Sequence, residues 1–150
     1  MTAIAATPLL GAFAGAVVLL AFKAQVLGAA TAATRGKLKK FVTQEDADRL
    51  GGEHVFPDDP QVRRIYRAHH NDLEALVVFL AVGLLYVVSG ASQIAGVVYF
   101  ALFPLARLGH TFAYLTRRAR LRRDSYALGM FLNFIIGGHA LWAILAQVRG

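Results

Sequence analysis

Apolar residues gather along the chain in four runs: Ala3 to Phe22, Ala75 to Val88, Ile94 to Ala106, and Tyr126 to Val148 with a few polar interruptions. The first and last approach the ~20 residues that a helix needs to cross a bilayer. The pattern predicts an all-α integral membrane protein, a bundle of four transmembrane helices in a single domain. The helices fall at about residues 8–34, 61–89, 93–117 and 123–148, with a loop over about 35–60. Pro8 suits a first helical turn. Gly11 and Gly15 have the small-residue spacing of close helix packing. In the loop, Thr43 and the acids behind it read as the start of a short helix that Gly51 and Gly52 end, and Pro57 and Pro60 bracket the turn into the second span.

The two middle runs are short. Ala75 to Val88 makes a helix of only about 21 Å at ~1.5 Å per residue, against ~30 Å of hydrocarbon. The second span must therefore reach back to roughly His69, which carries His70, Asn71 and Glu74 into or to the edge of the nonpolar layer. For the same reason the third span must continue past Arg107 and His110.

Composition agrees: 57% of residues are hydrophobic and 17% charged, more apolar surface than one small core can hide. The net charge of +7 raises the question of nucleic acid, and its placement argues against it. Most of the 16 Lys and Arg residues lie in Arg35 to Arg67 and in Arg117 to Arg123, while the link between the second and third spans carries no charge. Basic residues on alternate loops follow the positive-inside rule. Both termini then face outward and both basic segments face the cytoplasm. The N-terminal run lacks a basic leader and reads as a retained span. There is no cysteine, hence no disulfide and no thiol nucleophile from the protein.

This topology gathers the polar ends of the spans into one layer. Arg67, His70, Asn71 and Glu74 share one face of the second helix, and Arg107, His110, Thr111 and Tyr114 repeat the same offsets on the third. Arg35 ends the first span and Arg123 opens the fourth at that depth. Ionised groups inside a bilayer cost about 2.5–3.5 kcal/mol each on the gentler scale, so two aligned stripes are hard to explain as lipid-facing. Mutual neutralisation, with Glu74 paired to Arg107 or Arg67, is one reading. The arginines outnumber Glu74, however, which favours a small ligand with carboxylates and an ammonium for Glu74. Asp72 points away from the stripe and offsets part of the charge. A metal held by His70, Glu74 and His110 is the other candidate, disfavoured by the surrounding arginines, and no metal site is assigned. His54 and His69 read as surface or interface residues, and Asn133 and His139 as interhelical hydrogen-bonding groups.

The segment RAHHNDLEAL resembles the R-A-H-x-N-D-x-E signature opening the second helix of the MAPEG family, the membrane-associated proteins in eicosanoid and glutathione metabolism. ARLGHTFAYL is similar to that family's R-x-x-H-T-x-A-Y-L segment, QEDADRLGG to its P-E-D-A loop, and Arg123 stands nine residues past Tyr114 where members carry an arginine. The resemblance implies a homotrimer that binds glutathione near the cytoplasmic face, between helices of adjacent subunits. By position, Arg35, Arg67, His70, Asn71, Glu74, Arg107, His110 and Tyr114 form or support the glutathione site, although members vary at the position of His70. Glu74 takes the ammonium, Arg67 or Arg35 a carboxylate, and Arg123 is the catalytic residue that stabilises the thiolate. The activity implied is a glutathione transferase, with peroxidase activity, acting on an apolar electrophile or lipid hydroperoxide from the membrane lipid. The alternatives are a non-catalytic lipid-binding member and a glutathione-dependent endoperoxide isomerase. Two departures stand out: Asp124 follows Arg123 where Ser or Ala is expected, and the aromatic expected at 127 is displaced to Tyr126. A composition rich in Ala, Gly and Arg fits a bacterium, and with it an inner-membrane location.

Overall fold

The computed structural model of the chain describes residues 7–149. Helices α1 (Pro8–Leu38), α3 (Pro60–Val88), α4 (Gln93–Leu115) and α5 (Ala119–Arg149) are each long and apolar enough to cross a membrane, and together they make the bundle. The loop after α1 holds β1 (Lys40–Phe41), the short helix α2 (Gln44–Leu50) and β2 (Glu53–His54). At ~1.5 Å per residue, the 29 residues of α3 extend roughly 44 Å, well past the hydrocarbon, and so carry the polar stripe in the same continuous helix as the apolar run.

Local chemistry sets the boundaries. The Thr7 hydroxyl accepts from Leu10 N at 3.2 Å, with Pro8 in the first turn of α1. That helix runs past residue 34 to a left-handed cap at Lys39, whose N–H bonds back to the carbonyls of Arg35 and Gly36. Thr43 caps α2 through Asp46 N at 3.4 Å, and Gly51 ends it at φ +65°. Asp59 caps α3 through Gln61 N at 2.9 Å. The fourth span begins at Ala119, within the basic link and before residue 123. Strands β1 and β2 pair in parallel, Lys40 opposite Glu53 and Phe41 opposite His54. Each has two residues, too few to leave a pattern in sequence. Gly52 permits the pairing, because a Cβ there would meet Lys39 O and the Phe41 ring at 2.5 Å.

Aromatic rings fill the centre. Phe79 of α3 stacks on Phe103 of α4 with centroids 4.2 Å apart, and Phe13, Tyr86 and Phe100 close around them. The Tyr86 hydroxyl donates to Ser92 O at 2.8 Å and Gln147 Nε2 to Ser89 O at 2.7 Å, tying α5 to the turn between α3 and α4. The outside carries Phe22, Val26, Val77, Leu84, Leu105, Phe134 and Trp142 exposed, a belt suited to lipid.

The glycines depart from expectation. Among the described residues nothing lies within 4 Å of a Cβ built at Gly11 or Gly15, so their spacing serves no packing there. The close approaches are at Gly83, where a Cβ would meet the Phe13 ring, and at Gly96, where it would meet Leu9 and Tyr86. Gly96→Ala should lower the thermal midpoint in detergent, overpacking costing about 1–3 kcal/mol, while Gly11→Ala leaves it unchanged. Equal midpoints for the two would overturn this account of the core.

A second expectation concerns the loop. Lys40 Nζ lies 3.0 Å from Asp59 Oδ2. The Gln61 N–H, and then the Lys40 ammonium, hold the Asp59 carboxyl below its ordinary value. The tie is therefore complete above the unfolded-state value and lost as pH falls through the lower folded-state value. Limited proteolysis of the loop should accelerate on acidification, and Asp59→Asn should make it fast and flat with pH in this range.

Candidate functional site

Two layers of polar groups lie at the loop end of the bundle, one inside it and one on its surface. The inner layer centres on Asp72. Of the buried residues of α3, Ala68, Asp72, Phe79, Gly83 and Tyr86 form one stripe beyond Val62, so Asp72 faces the interior. Its Oδ1 accepts from Arg107 Nε at 3.1 Å and also from Nη2. Its Oδ2 accepts from Thr111 Oγ1 at 2.8 Å and lies 2.8 Å from Lys23 Nζ. Lys23 donates further to Arg107 O at 2.9 Å and Thr111 Oγ1 at 3.1 Å, so its ammonium is fully used. One carboxylate thus joins α1, α3 and α4.

This corrects the expectation that Asp72 stands apart from the polar stripes. It also shows what Arg107 supports: its Nε and Nη2 are engaged by Asp72, and Nη2 reaches Asn71 at 2.8 Å to Oδ1 and 3.2 Å to the carbonyl. His110 lies behind it, its Nδ1 3.4 Å from Arg107 Nη2 and its ring 5.6 Å from that of Tyr114. Arg107 and His110 are both buried.

The outer layer is a pocket of about 340 Å³ lined by Tyr66, Arg67, His70, Asn71, Glu74 and Tyr114. It brings the α3 stripe together with one residue of the α4 stripe. Glu74 pairs with His70, Oε1 to Nδ1 at 3.3 Å on the exposed face, and not with Arg67 or Arg107 as mutual neutralisation required. Asn71 is fixed by Arg107 from behind. Among the described residues no group of three or more His, Asp or Glu side chains is placed to hold a metal ion.

Arg35 and Arg123 are not in this pocket. Arg35 makes a two-point contact with Asp58 of the loop, Nε to Oδ1 at 3.0 Å and Nη2 to Oδ2 at 2.6 Å. Arg123 lies exposed on α5 with Nε 3.1 Å from Asp124 Oδ1, so the unexpected acid at 124 does draw on this arginine. Two other arginines hold Tyr114 instead: Arg64 Nη1 donates to its carbonyl at 3.3 Å, and the Arg122 guanidinium lies over its ring at 4.8 Å.

Beside the pocket runs an apolar groove of about 570 Å³ between α3 and α5. Asn71 and Glu74 belong to both cavities, and the exposed Val78, Met130 and Phe134 line the groove on the outer surface of the bundle. Asn133 also lines it, and its Oδ1 has no partner among the described residues, where an interhelical bond was expected. His139 does make one, Nδ1 to the Tyr86 hydroxyl at 3.4 Å, and His54 Nε2 reaches Val42 O at 3.3 Å. His69 packs at the α1–α3 contact beside Gly28, its Nδ1 unpaired among the described residues.

Sequence reasoning missed how Asp72 and Lys23 are paired, although it had Asp72 offset part of the charge, and it gave Asp58, Arg64 and Arg122 no role. A signal for the first two was present. Asp72 lies four residues from Ala68 and seven from Phe79, and Lys23 falls on the α1 stripe of Leu20, Ala24 and Leu27.

Against known proteins, the model of the MAPEG family matches residues 13–142. The chain is 35% identical over 137 residues to the prostaglandin E synthase of Homo sapiens, covering 91% of this chain and 90% of the relative. It is 38% identical over 127 residues to the microsomal glutathione S-transferase 1 of Homo sapiens, covering 82% and 80%.

Removing one member of a buried ion cluster leaves the others uncompensated and costs about 3–5 kcal/mol. Asp72→Leu should therefore yield little folded protein, while the joint change Asp72→Leu with Lys23→Met should recover part of the loss, one surplus cation having gone. Fluorescence-detected size-exclusion profiles compare the two. No recovery would mean that Lys23 is not coupled to Asp72.

Proposed function

The chain belongs to the MAPEG family, and from that premise we propose that it is a membrane-bound glutathione transferase that conjugates apolar electrophiles and reduces lipid hydroperoxides. The observation that carries this reading is the shared wall of the two cavities. Asn71 and Glu74 line both the polar pocket and the apolar groove. A water-soluble peptide in the first and a lipid-phase acceptor in the second would meet across that wall.

Glutathione carries two carboxylates, one ammonium and a thiol. In the pocket Glu74 receives the ammonium, with His70 beside it, and Arg67 takes a carboxylate as a planar fork. Asn71 is held ready by Arg107 and offers its amide to the peptide backbone, while His110 supports Tyr114 at the opposite wall. Arg123, on the outward side of α5, stabilises the thiolate at the boundary with a neighbouring subunit of a homotrimer, and Arg35 lines the same boundary. A guanidinium beside a thiol lowers its pKa from about 8.5 and so raises the thiolate fraction at neutral pH. The thiolate forms a carbon–sulfur bond to an aryl halide as the halide leaves. With a hydroperoxide it attacks the terminal oxygen, the O–O bond breaks to leave the glutathione sulfenic acid and, after protonation, the alcohol, and a second glutathione thiol then displaces water from that sulfur to form the disulfide. The protein is a multi-pass membrane protein. We place it in a bacterial inner membrane, both termini outside and the site near the cytoplasmic face, in keeping with its basic loops.

Turnover of a chlorinated nitrobenzene with glutathione tests the reading. Glu74→Ala should raise KM for glutathione with a smaller effect on kcat. Arg123→Ala should reduce the thiolate absorbance of the bound peptide and the rate about tenfold, one pKa unit being worth ~1.4 kcal/mol. Equal rates in all three proteins would sink the assignment. A wild type that binds no glutathione at millimolar concentration would point instead to a lipid-binding member.

A further inference from the structure

The turn into α5 carries five arginines, and one of them faces inward. The buried residues of α5 are Ser125, Gly129, Leu132, Asn133, Ile136 and Ala140. Arg122 stands three residues before Ser125 and seven before Gly129, which continues that stripe, and it is half-buried. Arg123 is turned about 100° away and is exposed, with Asp124 on its Nε.

The Arg122 guanidinium carbon lies 4.8 Å from the centre of the Tyr114 ring. A guanidinium stacked on an aromatic face keeps its N–H edge free for in-plane, two-point bonding to a carboxylate. Among the described residues, no side-chain hydrogen bond or ion pair is made by Arg122. The carboxylates at the loop end of the bundle have other partners: Asp72 has Lys23 and Arg107, Asp58 has Arg35, Asp124 has Arg123, and Glu74 has His70. A cation with no side-chain partner among the described residues therefore rests on Tyr114, a wall residue of the polar pocket that Arg122 itself does not line. The acid of that pocket, Glu74, lies two helical turns deeper along α3 than Arg67, about 10 Å at ~1.5 Å per residue.

We propose that Arg122 is a further glutathione-binding residue, which takes the glycyl carboxylate at the Tyr114 end of the pocket while Glu74 takes the ammonium at the other. This rests on the glutathione reading above. The two adjacent arginines then have separate roles. Arg122, on the inward face, fixes the peptide, and Arg123, on the outward face, acts on its sulfur. Arg64 gains a positioning role, since its bond to the Tyr114 carbonyl holds the end of α4 on which Arg122 rests.

Equilibrium binding of glutathione and of its glycyl ethyl ester to the purified protein in nanodiscs tests the proposal. Wild type should bind the ester at least tenfold more weakly. Arg122→Gln should bind glutathione at least tenfold more weakly than wild type yet bind the ester as wild type does, so that the discrimination disappears. Unchanged ester binding also shows that this variant is folded. Arg122→Lys, with charge but no fork, should fall between. Arg123→Ala should keep the discrimination and lose thiolate absorbance instead. The proposal is overturned if Arg122→Gln still discriminates, or if both Arg122 variants bind neither compound, which would make the residue structural. A wild type that binds no glutathione removes the premise, a failure distinguishable from these because it appears before any substitution.

Discussion

The buried charges at the loop end of the bundle are arranged around one carboxylate. Asp72 accepts from Arg107, Thr111 and Lys23, which come from two helices other than its own. Taking such groups out of water is costly, and their mutual attraction repays it only when geometry is good and the remaining donors are met. Here most are met: Lys23 has three acceptors, and Arg107 adds Asn71 to Asp72 through Nε and Nη2. The cluster says little about net stability. It does fix the axial and rotational register of α1, α3 and α4, because a slide of one turn in any of them strands a charge in a nonpolar medium.

That register is what makes a surface pocket out of an α-helical face. Arg107 reaches through the bundle to hold Asn71 from behind, and Asn71 forms part of both the polar pocket and the apolar groove. The inner layer is closed and internally bonded, whereas the His70 and Glu74 side chains of the outer layer stand exposed. A rigid charged interior therefore supports an accessible exterior, the order in which a preorganised site has to be built.

The four spans and the α3 stripe were legible because both are one-dimensional signals. Run length finds a transmembrane helix, and spacing puts Arg67, His70, Asn71 and Glu74 on one face. Partners across helices were not legible. That Arg35 meets Asp58, or that Asp72 meets Lys23, depends on how helices slide past one another, which neither composition nor periodicity records. The phase of α5 was hidden for a different reason. Its exposed face is as apolar as its buried one, and its buried face near the turn is made of Ser125 and Gly129. Small residues mark close packing without marking hydrophobicity, so Arg122 and Arg123 look equivalent in sequence and face different ways in space. The open surroundings of Gly11 and Gly15 teach the converse, that small-residue spacing alone does not locate a contact.

Lys23 has a bearing on how the protein comes to be inserted. During synthesis α1 emerges first, carrying an ammonium whose ionic partner and other acceptors all belong to α3 and α4. Until those helices arrive, the lysine can be solvated only by drawing the helix toward the interface, which long lysine side chains do readily near a membrane surface. Only when α3 and α4 bring Asp72 and Thr111 does the ammonium find its partners inside the bundle. The charge of α1 is thus compatible with the nonpolar layer only as part of the assembled bundle.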